Sequence, residues 1–494
     1  MGFVQKHAFK TMIISYLGLV LGYVNKGVLF IIVLSTEQIG LINLLLSVGM
    51  LFSQFANFGT FNSVIKFLPY FKNNGIKNST FFKLNIRIVF FGIFLFSIIS
   101  ILLKGEINHF FGEKSSLFVD NYYWIIPLGI ANVFFVLFES FLRGFHKNVI
   151  PVLFNDFVLR IMISIILFLM WFKYLNYQQF LTIYCLIHLI SPIVLYFSIV
   201  RDKSIDSERI DLKVSSKFKK IILNYSLFSY SNTLGIIIVT TMDTLMITYY
   251  DGLKATGIYT TILYLISAVQ IPYRSLYRVS EPLVAIYWRE KKFDELKELY
   301  KKLSSISFVI ILYMFLLVWV NRIEIFGFLP SEYLIGIWVF FFLIIGKVVD
   351  LFSGLNGAIL VTSKKFKYDI FFTIVLLGLV FGMNLFLIPL YGIVGAAIST
   401  SFAIIVYNLG RLTIVWKSYN LHPFDSKQFY VLLLFFGVLL LFEFSPSINL
   451  NSIVKILGNS IIVSLIYFLI IFKFNLNNDI IQYTNKLRLF RFSK

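Results

Sequence analysis

Residues 241–289 read TMDTLMITYYDGLKATGIYTTILYLISAVQIPYRSLYRVSEPLVAIYWR, and this stretch decides the fold. An apolar segment carrying Asp243 ends at a tight turn, and a long helix then runs back carrying Pro272, Arg274, Arg278, Glu281 and Pro282. Charged side chains inside an apolar span are costly and usually face a cavity or a partner. Two arginines one turn apart, next to a proline, therefore point to a membrane-buried place for something anionic.

The composition agrees with a membrane setting. The chain has 494 residues, of which 59% are hydrophobic and only 14% charged, with a mean hydropathy of +0.85. Globular chains carry roughly a quarter charged residues. Aromatics reach 18%, with 57 Phe, which fits a surface facing lipid. A formal charge of +20 suggests nucleic acid in a soluble chain, but here it must first be tested against loop orientation. The single cysteine, Cys185, sits in an apolar run and reads as a packing residue, so no disulfide framework is possible. The N-terminal MGFVQKHAFK lacks a small-residue cleavage site and reads as the start of the first span.

A spanning helix needs about 20 apolar residues. By that rule the sequence predicts an all-α polytopic protein with about fourteen spans, near 9–34, 38–67, 84–103, 122–142, 150–172, 179–200, 222–249, 255–287, 303–320, 333–361, 369–388, 393–415, 429–445 and 453–472. A β-barrel would need short alternating strands, which these continuous runs exclude. With the N-terminus inside, the inner loops and tails hold about 30 Lys and Arg and the outer loops about five, namely Lys104, Lys114, Lys173, Lys254 and Arg322. That asymmetry follows the positive-inside rule, predicts cytoplasmic termini and accounts for most of the +20, so no nucleic-acid partner is needed.

The expected domains are an N-terminal six-helix lobe (1–200), a cytoplasmic linker (201–221) and a C-terminal six-helix lobe (222–416) in pseudo-twofold arrangement. Two additional C-terminal helices (429–472) and a basic cytoplasmic tail (473–494) follow. STEQIGLINLLLSV opens the second span and GLKATGIYTTILYLI the eighth, placing Gly40 and Gly257 after a short outer turn in each. Basic inner loops recur at 143–148 and 362–368. Weak internal similarity of this kind is expected of transporters built from repeats, with a site at the repeat interface.

STEQIGL before span two, Asn57-Phe58-Gly59, ATGIYTTILYLISAVQIPYRSL, EPLVAIYWRE and LYGIVGAAIST at 390–400 together resemble the polysaccharide-exporter branch of the multidrug/oligosaccharidyl-lipid/polysaccharide (MOP) exporter superfamily. The resemblance covers essentially the whole chain. It implies a flippase for undecaprenyl-pyrophosphate-linked oligosaccharides, serving O-antigen, capsule or exopolysaccharide synthesis in a bacterial inner membrane. It further implies a V of two lobes around a cationic cavity lined by spans one, two, seven and eight. In the related peptidoglycan-precursor flippases the last two spans form a groove for the lipid tail.

The intramembrane charges supply candidates, each with a plainer reading. Arg274 and Arg278 share one helix face, Pro272 can open space near them, and arginine's planar fork suits phosphate oxygens; alternatively they pair with Glu281 or reach lipid phosphates. Lys26, in the outer half of span one, is the third substrate-binding candidate; its plainer role is an ion pair with Asp243. Asp243, Glu281, Lys347 and Asp350 are candidates for coupling or gating, the last two pairing locally or helping to hold a coupling ion. Lys66 reads as an inner-rim residue, and Glu139, Asp156 and Arg160 as a structural ion-pair cluster. His188 reads as a packing residue. Asn25 and Asn57 suit sugar hydroxyls or helix–helix bonds, and Gly18, Gly22 and Gly27 suit close packing.

No His/Cys cluster has metal-ligand spacing and no GxxxxGK[ST] loop is present, so neither ATP hydrolysis nor another enzymatic activity is expected. No cofactor is expected beyond a coupling proton or sodium ion. The expected partners are the lipid-linked oligosaccharide, membrane lipids and a polysaccharide polymerase. Two other functions fit less well: a cation-coupled drug antiporter of the same superfamily, and a membrane polymerase or ligase, which would need a larger outer loop than 104–121.

Overall fold

A computed structural model of the chain describes residues 2–73, 78–145, 147–201, 216–445, 451–477 and 479. Most of the 201–221 linker and of the 473–494 tail lies outside the described residues. The described residues are helical throughout, with no strand among them. Burying the backbone's polar groups in hydrocarbon leaves only helices and closed barrels as spanning structures, and the long apolar runs take the first course.

Twelve of the described helices are long and apolar enough to cross a membrane, making this a multi-pass membrane protein. They are α1 (Thr11–Val33), α2 (Thr36–Asn57), α3 (Phe81–Leu102), α4 (Tyr122–Gly144), α5 (Val149–Trp171), α6 (Tyr177–Val200) and α7 (Thr233–Val269). After an intervening helix, α8 (Ile271–Arg289), come α9 (Phe293–Val320), α10 (Ser331–Phe352), α11 (Lys367–Tyr419), α12 (Ser426–Glu443) and α13 (Ser452–Lys473). Expected spans seven and eight share α7, and expected spans eleven and twelve share α11. Each of these helices bends sharply at one glycine, Gly252 (φ 80°) and Gly392 (φ 58°), a conformation that glycine adopts without a Cβ penalty. The expected eighth span is also interrupted at Gln270, and its second part, α8, is too polar to count among the twelve.

The chain divides into two compact units, 1–261 and 262–494, so residues 222–261 pack with the first. In unit 1 the interior helices are α2 and α4, whereas α3 and α5 bury little of themselves. Leu41, Leu44 and Leu45 of α2 pack against Ile125 and Leu128 of α4, together with Leu167 of α5 and Phe180 and Tyr184 of α6. A second cluster joins Phe52 and Ala56 of α2 to Val89 of α3 and to Leu137, Phe141 and Leu142 of α4. Phe90, Phe91, Phe94 and Leu102 of α3 remain exposed, as lipid contact allows.

The two glycines noted in the related hairpins meet each other's helix within unit 1. A Cβ on Gly40 would overlap the Leu253 carbonyl, and one on Gly257 would overlap the Thr36 carbonyl. Small residues let helix backbones approach this closely in membranes. The bend of α7 is stitched across by the Tyr259 hydroxyl, which donates to Asp243 at 2.6 Å, and by the Thr248–Thr256 hydroxyl pair at 2.8 Å.

In unit 2 the central helix is α9. Its Leu296, Tyr300 and Leu303 pack with Val284 of α8, with Leu355–Leu360, and with Leu412 and Val415 of α11. The two additional helices lie against α9. Tyr467 of α13 donates to the Val309 carbonyl at 3.0 Å, and Tyr313 and Ser464 share a hydrogen bond at 2.7 Å. Arg322, just after α9, pairs with Glu443 of α12 at 2.9 Å.

Candidate functional site

In unit 1 the candidate cation is Lys26. It lies in a π-helical turn, Asn25–Leu29, within α1, half-buried. Its Nζ donates to Asn43 Oδ1 on α2 at 3.3 Å, and Asn43 Nδ2 donates to Thr260 Oγ1 on the returning arm of α7 at 3.1 Å. A polar chain thus links α1, α2 and α7, elements that the resemblance places beside the cavity. Asp243 is 6% exposed and accepts from Tyr259. Lys66, exposed on Thr60–Asn73, carries its ammonium 5.6 Å from the Phe67 ring centroid.

The expected cluster of Glu139, Asp156 and Arg160 resolves into separate interactions, because each group finds a nearer partner. Glu139 pairs with Arg143 one turn on, at 2.5 Å. Asp156 accepts from Ser15 and from Asn155, each at 3.3 Å. Arg160 donates from Nη1 to the Gly18 carbonyl. Among the described residues no ion pair joins Asp156 to Arg160.

Asn25 and Asn57 do not present their amides to a sugar. Asn25 is 2% exposed and Asn57 5%. Asn25 donates to the Arg160 carbonyl and accepts from Ser164, both at 2.7 Å. Asn57 Oδ1 accepts from the Thr60 hydroxyl and, at 3.2 Å, from the Phe61 amide in the first turn of the next helix. His188 places Nδ1 at 2.7 Å from the Tyr184 carbonyl, the packing role expected of it. Gly18 abuts the Asp156 backbone, whereas a Cβ on Gly27 would meet open space, so close packing explains the first glycine and not the second.

In unit 2, Arg274, Arg278 and Glu281 are exposed along α8. No ion pair among the described residues joins either arginine to Glu281. An adjacent face of α8, about a quarter turn round at 3.6 residues per turn, is fixed by buried Val284 and by the Tyr273 hydroxyl, which donates to the Gly354 carbonyl at 3.2 Å. The helix is therefore anchored on one face and presents guanidinium groups on the next. Lys347 and Asp350 of α10 pair at 3.0 Å, and Asn408 of α11 donates to the same carboxylate at 3.1 Å.

Sequence reasoning missed the neighbouring pair. Arg411 and Asp369, on the two arms of α11, form a buried ion pair, and the guanidinium also stacks on Tyr407 with 4.5 Å to the ring centroid. Gly357 leaves room for it, since a Cβ there would collide with Nη2. Arg411 falls inside the expected twelfth span, so the cost of an intramembrane arginine was the signal that could have found it. Among the described residues no three His, Cys, Asp or Glu side chains are grouped to hold a metal.

Apolar helices, two of them bent at glycines and a few of them carrying cations, make up this multi-pass membrane protein. The chain belongs to the family described as "Polysaccharide biosynthesis protein", whose model matches residues 4–288. Among solved structures it is similar to the lipid II flippase MurJ in an inward closed conformation, with 18% identity and a TM-score of 0.67, covering 95% of this chain and 99% of that one. It is also similar to an inward-facing multidrug resistance MATE family transporter of the MOP superfamily, with 14% identity, TM-score 0.60 and coverage of 83% and 99%. A MOP superfamily transporter from Pyrococcus furiosus gives 15%, 0.54, and 84% and 96%. At such identities these likenesses show the fold. No match is found among curated proteins.

Proposed function

We propose that the chain is a flippase that moves undecaprenyl-pyrophosphate-linked oligosaccharide repeat units across a bacterial inner membrane by alternating access, with both termini cytoplasmic. The family and the flippase-like fold support this reading. The observation that carries it is the exposed Arg274 and Arg278 on an anchored α8, which form no ion pair among the described residues, together with Lys26 set on a polar chain inside unit 1. Arginine's fork matches pyrophosphate oxygens. On this reading Arg274 and Arg278 receive the headgroup near the inner leaflet, and Lys26 meets it farther out while the prenyl tail stays in lipid. Lys66 attracts anionic headgroups at the inner rim. Export of an anion from a negative interior releases about 2.3 kcal/mol per charge per 100 mV. Asp243, Glu281, Lys347 and Asp350 are assigned to coupling or gating, with a proton or sodium ion as the coupling species, and a polysaccharide polymerase is the partner that takes the product.

The test is a vesicle assay of lipid-linked oligosaccharide flipping with Arg274→Ala and Lys26→Ala. One charge-assisted hydrogen bond contributes about 1.5–3 kcal/mol, so each variant is expected to lose roughly tenfold or more in rate. Normal flipping by both would overturn the cavity assignment. Efflux of cationic dyes with no lipid-linked flipping would favour the drug antiporter.

A further inference from the structure

Among the described residues of unit 1, two helical turns are widened. One is Asn25–Leu29 in α1 and the other is Leu153–Val158 in α5, each π-helical within an otherwise α-helical rod. Such turns are rare and recur at functional sites because they hold one extra residue and rotate what flanks them. Here α1 and α5 are tied together beside both wide turns. Arg160, just beyond the second, donates to the Gly18 carbonyl, while its own carbonyl accepts from Asn25 Nδ2 at 2.7 Å. Ser164 donates to Asn25 Oδ1 at 2.7 Å and to the Arg160 carbonyl at 3.0 Å. Both ends of the Asn25 amide are thus used, and the side chain is 2% exposed.

The bracket grips α1 at residues 18 and 25. Seven residues make about two turns at 3.6 residues each, so both points lie on one face. Residue 26 is the next one round, and its ammonium reaches Asn43 on α2. Fixing the face at 18 and 25 therefore fixes the heading of Lys26.

We propose that Asn25, Arg160 and Ser164 are positioning residues that aim Lys26 by holding the widened turn of α1 against α5. This rests on the assignment of Lys26 to anion binding made above. None of the three touches the substrate; they act through the lysine.

The test uses the full chain in proteoliposomes with Asn25→Leu, close in volume and unable to make either bond, and with Ser164→Ala as the milder variant should Asn25→Leu fail to fold. In a flipping assay Asn25→Leu is expected to lose roughly tenfold, since a misplacement of about 1 Å can cost 10²-fold. In a Lys26→Ala background the same substitution is expected to cost no more than about twofold, because groups acting as a unit are not additive. Additive losses would overturn the proposal and leave a general structural role. A second arm needs no substrate. In a Cys185→Ala background, Lys26→Cys is labelled with a small thiol reagent with and without Asn25→Leu. A changed labelling rate supports the clamp and an unchanged rate refutes it. Should Lys26→Ala itself flip normally, the anion-binding role falls, while the labelling arm still decides whether the clamp orients residue 26.

Discussion

Breaking the Asp369–Arg411 pair tests how much a charge inside unit 2 depends on its partner. The two side chains are 7% and 13% exposed. Asp369→Leu removes the carboxylate and leaves the guanidinium between Gly357 and the Tyr407 ring. The stacking on Tyr407 is common to parent and variant and cancels. Stranding one member of a buried pair costs about 3–5 kcal/mol, and that is the expected loss. Arg411→Met should cost a similar amount by stranding the carboxylate. The double variant Asp369→Leu/Arg411→Met strands nothing and should lie within about 1 kcal/mol of the parent, as apolar replacements of buried pairs often do. Reversible unfolding in mixed micelles, run as a double-mutant cycle, measures all three. Single losses under about 1 kcal/mol, or a double variant as unstable as the two singles combined, would refute the account.

Three further outcomes follow from other parts of the fold. Gly257→Leu drives a side chain into the Thr36 carbonyl and should lower the unfolding temperature sharply, overpacking costing about 1–3 kcal/mol; differential scanning fluorimetry reads it. Gly252→Val adds the strain of a left-handed conformation, about 1–2 kcal/mol, to a close approach of its Cβ to the Lys114 carbonyl, and should depress the same temperature. His422 has its pKa lowered by desolvation and then by Lys301 and Lys297. The folded state therefore prefers the neutral ring, and that contribution to stability is present above the ordinary value of 6.5 and declines as pH falls below it. His422→Gln should flatten the decline, and an unchanged pH profile between 7 and 5 would count against it.

The long apolar runs made the helical fold legible, since only length and hydropathy were needed to place α1–α6, α9, α10, α12 and α13. What hydropathy cannot read is where a helix bends and stays one helix, as at Gly252 and Gly392, or where a polar stretch such as α8 continues an apolar one. The charged candidates could be picked out because charge in an apolar span is costly. Their partners could not. Asp156 and Arg160 are neighbours on one face by spacing, yet each turns to α1. Asp369 and Arg411 are far apart in sequence and meet only through the bend of α11. Asparagines look alike in a sequence whether they cross-link helices, as Asn25 does, or face a ligand.

The interruption at Gln270 bears on how the chain is made. The arm from 253 to 269 is about 25 Å long at 1.5 Å per residue, close to the hydrocarbon thickness of a bilayer, so it can be released into lipid by the insertion machinery as a span of its own. The segment Ile271–Arg289 cannot, because an arginine at mid-helix adds roughly 2.5–3.5 kcal/mol to insertion and this segment holds Arg274 and Arg278 together. Two guanidinium groups are thereby kept off the spans that lipid can take up directly.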